Sequence, residues 1–169
     1  EKNHQKLASM INTFFANKLI NKSEVVGPSV TVNQIWKKGK QVFLIYKDKQ
    51  MTTEFDGFWY RKDAIDTYWP NVDDPATLKK KIDAHMDKRP KDDNQNKFFV
   101  TQSQMTPSIS TISKGLIPLG TRYRSLKDMA KDIVKELPKW IDDWRNRNPN
   151  IIITDFVNAE TSKHIYLLN

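Results

Sequence analysis

The 169-residue chain has no cysteine, which excludes disulfides, thiolate zinc sites and cysteine nucleophiles and leaves the compartment open. No stretch approaches the ~20 consecutive apolar residues of a membrane-spanning helix, and none has the form of a signal peptide. Internal repeats and low-complexity tracts are absent, and no RNP-like or zinc motif accompanies the aromatic residues, so nucleic acid is not an expected partner. The sequence opens on Glu1 rather than Met, and a processed product or a cut piece is expected.

Five Trp, five Tyr and eight Phe within a hydrophobic content of 38% fit a folded domain. The length allows one domain with its own core. It falls short of a whole (β/α) barrel, which needs ~250 residues. A net charge of +8 draws the molecule to anionic surfaces such as acidic lipid headgroups or nucleic acid, and by itself leaves the class of partner open.

Leu7, Met10, Ile11, Phe14, Phe15 and Leu19 recur at helical spacing, so residues 4–20 read as an amphipathic helix. Gly27-Pro28 breaks the chain, a short helix is expected over Thr31 to Lys37, and Gln41 to Tyr46 reads as a strand. Residues 48–74 read as a long aromatic loop, and a loop of that length is usually functional. Asp74-Pro75 starts a helix whose apolar face is Leu78, Ile82 and Met86 and which ends before Pro90. Lys91 to Lys97 reads as polar linker, Phe98 to Ser103 as a strand, and residues 104–121 as a second long loop. Ser125 with Asp128 caps another helix, Pro138 is expected to restart a new one, and a last helix lies near Ala159 to Leu168.

Asn150 to Val157 has the form of a buried parallel strand, a run of β-branched residues ending in a carboxylate. At the C-terminal end of a barrel strand, Asp155 would face an active site. Alternatively, it caps the helix that follows. Helices alternating with three such strands predict a parallel sheet. Three strands alone leave two open edges that something else should cover.

Three blocks, in this order and spacing, resemble the X domain of phosphatidylinositol-specific phospholipase C, in particular the small animal proteins that consist of that domain. They are Gln41 to Tyr46; Phe98 to Pro107 continuing through Ser110 to Gly115; and Leu137-Pro138 with Trp140, then Asn150 to Val157. The resemblance implies an α/β fold: residues 1–169 as the C-terminal half, about three strands with helices, of a distorted TIM-type barrel. The N-terminal half would be a separate partner chain, held noncovalently. The implied reaction is attack of the inositol 2-hydroxyl on the adjacent phosphodiester, with two histidines as general acid and base. Asp155 matches the carboxylate that orients one of them.

The histidine motifs of the family belong to its first half and are missing here. His4, His85 and His164 lie in predicted helices outside those motifs and read as helix-face residues. The chain is therefore expected to be inactive alone, to carry no metal ligand set or cofactor of its own, and to depend on the missing half for any Ca²⁺. By position in the family, Asp66, Tyr68 and Trp69 are substrate-binding candidates, with the two aromatics competing for one role as inositol-ring platform. Lys47 joins them because it sits just past a strand end. Asn21-Lys22-Ser23 is a glycosylation sequon, relevant if the protein is secreted; a secreted or extracellular location is expected, with a cytoplasmic one as the alternative.

Arg122, Arg124, Lys127, Lys131, Lys135 and Lys139 form a basic stretch, either a solvated face or a contact for phosphoinositide or an anionic membrane. A noncatalytic lipid- or ligand-binding protein on the same scaffold is the rival function.

Overall fold

A computed structural model describes residues 2–25, 30–89, 97–115, 123–147 and 149–167. The Gly27-Pro28 break, most of the expected linker at 91–97, Arg122 and Leu168 lie outside them. The chain is mixed α/β and divides into two compact units, Glu1–Asp66 with Pro90–Phe98, and Thr67–Arg89 with Phe99–Asn169.

In the first unit the expected amphipathic helix is α1 (Lys2–Phe15), followed by a 3-10 turn at Ala16–Lys18. Helix α2 (Val32–Lys37) starts at Thr31, whose hydroxyl accepts from the Gln34 N–H while the Gln34 side chain reaches back. Strands β1 (Leu44–Tyr46) and β2 (Phe58–Tyr60) pair in parallel, Leu44 opposite Phe58. Between them α3 (Lys49–Glu54) makes the crossover, capped by Asp48, whose Oδ1 accepts from the Met51 N–H at 3.1 Å. Ala8, Leu19, Met51 and Phe58 are the buried centre of this unit. Gly57 is required there by close approach: a Cβ on it would lie 3.0 Å from two carbons of Leu19.

The expected loop over 48–74 is therefore corrected. It contains α3, β2, α4 (Arg61–Ala64) and β3 (Ile65–Tyr68). Elements of three to six residues are too short to display a period in sequence, and pairing with neighbours decides them.

The second unit contains α5 (Pro75–Asp87), opened by Asp74 as N-cap, with Leu78, Ile82 and Met86 buried as expected. A sheet of order β3-β4-β5, where β4 is Phe98–Gln102 and β5 is Ile151–Ile153, belongs to this unit from Thr67 and from Phe99 onward. β4 and β5 are parallel, with Val100, Thr101 and Gln102 opposite Ile151, Ile152 and Ile153. Helix α6 (Ile109–Gly115) occupies part of the second expected loop, and α8 (Ala159–Tyr166) closes the described chain.

Helix α7 (Leu126–Asp143) runs continuously through Pro138, where a restart was expected. Proline in a helix interior removes one hydrogen bond and costs ~3 kcal/mol or more. Burial on both sides of it outweighs that loss, because Leu137, Trp140, Ile141 and Trp144 are all buried in one core with Leu78, Ile82 and Phe99.

β5 departs from the expectation of a strand covered on both faces. Ile152 packs on the helical core, whereas Ile151 and Ile153, pointing the other way, stay 39% and 37% exposed. Val100 on the central strand is buried on that same face. This face combines Val100, Ile151 and Ile153 with Gln102.

Candidate active site at the strand ends

Past β4 the chain stays extended for one more ladder bond, from the Ser103 N–H to the Ile153 carbonyl at 2.8 Å. Continuing this register brings Gln104 opposite Asp155. The side chains meet there: Gln104 Nε2 donates to Asp155 Oδ1 at 2.5 Å, while Oδ2 takes no hydrogen bond from the described residues. Two residues back, on the same face by strand alternation, Gln102 Nε2 donates to Thr67 Oγ1 at 3.1 Å. The central strand thus holds both neighbours through a pair of glutamines.

Asp155 does not cap the following helix. Asn158 does, its Oδ1 accepting from the Thr161 N–H at 2.8 Å. Directly after Asp155, Phe156 adopts φ 52°, a left-handed conformation that a bulky residue holds only under constraint.

At the end of β3, Trp69 is 49% exposed and its Nε1 donates to Thr106 Oγ1 at 3.0 Å. The Thr106 N–H in turn donates to the Val72 carbonyl at 2.8 Å, tying the two loops together. Asp73 accepts from Ser108 Oγ at 2.6 Å and from Thr111 Oγ1. Hydrogen bonds from Ser108 and then Thr111 hold its carboxyl below the usual carboxylate range.

The structure separates the two aromatic candidates. Tyr68 turns to His85, ring centroids 5.3 Å apart, and His85 stacks on Phe99 at 5.0 Å. Trp69 stays with Thr106 at the strand ends. Lys47, Asp66 and Asn21 belong to the first unit. Lys47 is exposed just past β1, and Asp66 is half-buried within β3. The Asn21 N–H donates to Glu24 Oε2 at 3.2 Å, and Ser23 Oγ donates to Asp56 Oδ2 at 2.5 Å.

Gln104, Thr106 and the Asp73–Ser108–Thr111 cluster were not singled out in the sequence. A signal existed: Gln102, Gln104 and Thr106 continue the strand alternation beyond its apolar part.

None of the three histidines serves Asp155. His4 Nδ1 lies 2.9 Å from the Tyr46 hydroxyl, His85 is in the ring stack, and His164 is on α8. Among the described residues no cluster of His, Cys, Asp and Glu could hold a metal. The cleft against Asp155, lined by Ser103, Gln104, Met105, Met129 and Thr154, has about 10 Å³ of space. That is near the minimum for one water and too small for a sugar-sized ring. The basic stretch is balanced by acids on α7, and Lys131 pairs with Asp128 at 3.0 Å.

A PI-PLC X domain-containing protein 3 from Danio rerio is 29% identical over 156 residues, which is 91% of this chain and 45% of the relative. The chain is similar to the PI-PLC X domain-containing proteins. The human protein 3 is 26% identical over 159 residues, again 91% of this chain and 45% of the relative. PI-PLC X domain-containing protein 2 from Mus musculus is 27% identical over 163 residues, 94% of this chain and 44% of the relative. The chain thus spans less than half the length of these X-domain relatives. No family model and no solved structure matches it.

Proposed function

We propose that this chain is the C-terminal part of a phosphatidylinositol phospholipase C-like phosphoric diester hydrolase, and that Asp155 orients a histidine supplied from outside residues 1–169. The observation that carries the reading is the placement of Asp155 at the C-terminal end of β5, one carboxylate oxygen fixed by Gln104 and the other turned to no described residue. A carboxylate held in this way selects the tautomer of an imidazole and stabilises its protonated form. Trp69 is our choice for the ring platform, since Tyr68 packs on His85. The partner is a noncovalently bound N-terminal half, and the exposure of Ile151 and Ile153 supports it. Any Ca²⁺ would be held there.

The test is steady-state cleavage of phosphatidylinositol by the two-part protein, wild type against Asp155→Asn. The expected result is a fall in kcat of ~10²–10⁴-fold with KM little changed and Tm equal. Unchanged turnover, or a loss explained wholly by unfolding, removes Asp155 from the chemistry. The residues present here should show no turnover on their own.

A noncatalytic binding protein on the same scaffold is the second reading, favoured by one observation: the side-chain partner of Asp155 is an amide, Gln104, and none of the three histidines hydrogen-bonds to it. Absence of inositol phosphate release by the two-part protein would select it.

A further inference from the structure

Charge is distributed unevenly along this chain. Residues 2–47 contain eight lysines and a single acid, Glu24, and that acid is paired with Lys40 at 3.2 Å. Helix α1 lies in this region and bears no Asp or Glu. It also has more apolar surface than its own unit covers. Ala8, Ile11 and Phe15 face the buried centre, whereas the adjoining stripe of Leu7, Met10 and Phe14 is 46%, 60% and 81% exposed. Lys6, Ser9 and Thr13 lie alongside this stripe on the same helix surface.

We propose that α1 is an interfacial helix that lies on an anionic lipid bilayer, with Leu7, Met10 and Phe14 inserted among the acyl chains and Lys6 at headgroup level. A basic polar side, no acidic residue and an exposed aromatic and aliphatic stripe are what such binding requires. The positive charge selects acidic lipid over a neutral surface, each lysine near the membrane strengthening binding by about 5-fold. Helix α7 is a poorer candidate despite its lysines, because acids alternate with them along its length. The proposal is independent of Asp155 and of any reaction.

The experiment sediments the protein, with any second polypeptide that accompanies it, against vesicles of phosphatidylcholine alone or mixed with phosphatidylserine. Neither lipid contains inositol, so failure here leaves the catalytic proposal standing, and failure there leaves this one. Binding should need phosphatidylserine and weaken as salt rises. Met10→Ser with Phe14→Ser should lower partitioning about tenfold or more, and Lys6→Glu should lower it several-fold while leaving the apolar stripe intact. These side chains are exposed, so the circular dichroism should not change; if the double variant misfolds, Lys6→Glu alone decides. Undiminished binding by the variants, or none by the wild type, overturns the proposal. So does a second copy or an accompanying polypeptide that is released by the double variant, since the stripe would then be a protein interface.

Discussion

Replacing Asp83 tests how the helices behind the candidate site are fastened. Its carboxylate accepts from Trp144 Nε1 at 2.7 Å and from Lys79 Nζ at 2.8 Å, with Arg147 Nη1 at 3.5 Å. The three partners are unequal. Lys79 keeps Asp143 at 3.2 Å and Arg147 keeps Asp87 at 3.3 Å when Asp83 is lost, and partly exposed pairs of this kind contribute about 0–1 kcal/mol. The Trp144 ring is fully buried, and an indole N–H left there without an acceptor costs about 1–3 kcal/mol.

Asp83→Ala should therefore destabilise by about 1–3 kcal/mol, or about 2–12 °C in Tm at this chain length. Asp83→Asn keeps an acceptor for the indole and should lose less than about 1 kcal/mol. The assay is thermal and urea unfolding of both variants and of Trp144→Phe, with the double variant completing the cycle. Equal losses for Ala and Asn would refute the reasoning, because charge rather than the indole bond would then dominate.

The pH dependence supplies a second readout. Burial raises the Asp83 pKa, but hydrogen bonds from Lys79 and Trp144 outweigh it and hold the carboxyl below its ordinary value. The folded state then binds fewer protons than the unfolded one, so this stabilisation is complete above the unfolded pKa of about 4 and is lost as pH falls through the folded value. Asp83→Asn should flatten that acid limb.

Pro138→Ala restores a helical N–H inside α7 and should raise Tm, by an amount equivalent to about 1 kcal/mol because the native helix already accommodates the ring; an unchanged or lowered Tm would mean that the ring itself contributes packing. Gly57→Ala places a methyl 3.0 Å from Leu19 Cβ and Cδ1 and should cost about 1–3 kcal/mol in urea unfolding. A neutral result there would show that Leu19 moves aside easily.

The sequence by itself determined the elements long enough to show a period or a cap. α1 follows from the spacing of Leu7 to Phe15, and α5 from Asp74-Pro75 with Leu78, Ile82 and Met86. β4 and β5 follow from their β-branched and aromatic runs, and α/β alternation from their order. Asp155 was legible too, as a carboxylate at the end of such a run. Tertiary structure decided what depends on neighbours distant in sequence. Three-residue β2 exists because β1 lies beside it, and α7 continues through Pro138 because Leu137, Trp140 and Ile141 are buried around it. The packing of Tyr68 on His85 and of Trp69 on Thr106 depends on such neighbours, as does the meeting of Asp155 with Gln104 through the β4-β5 register. Local propensity is a weak, additive signal readable from one window, whereas register and burial arise from residues well separated in the chain, 51 positions for Gln104 and Asp155, and exist only once the chain has closed on itself.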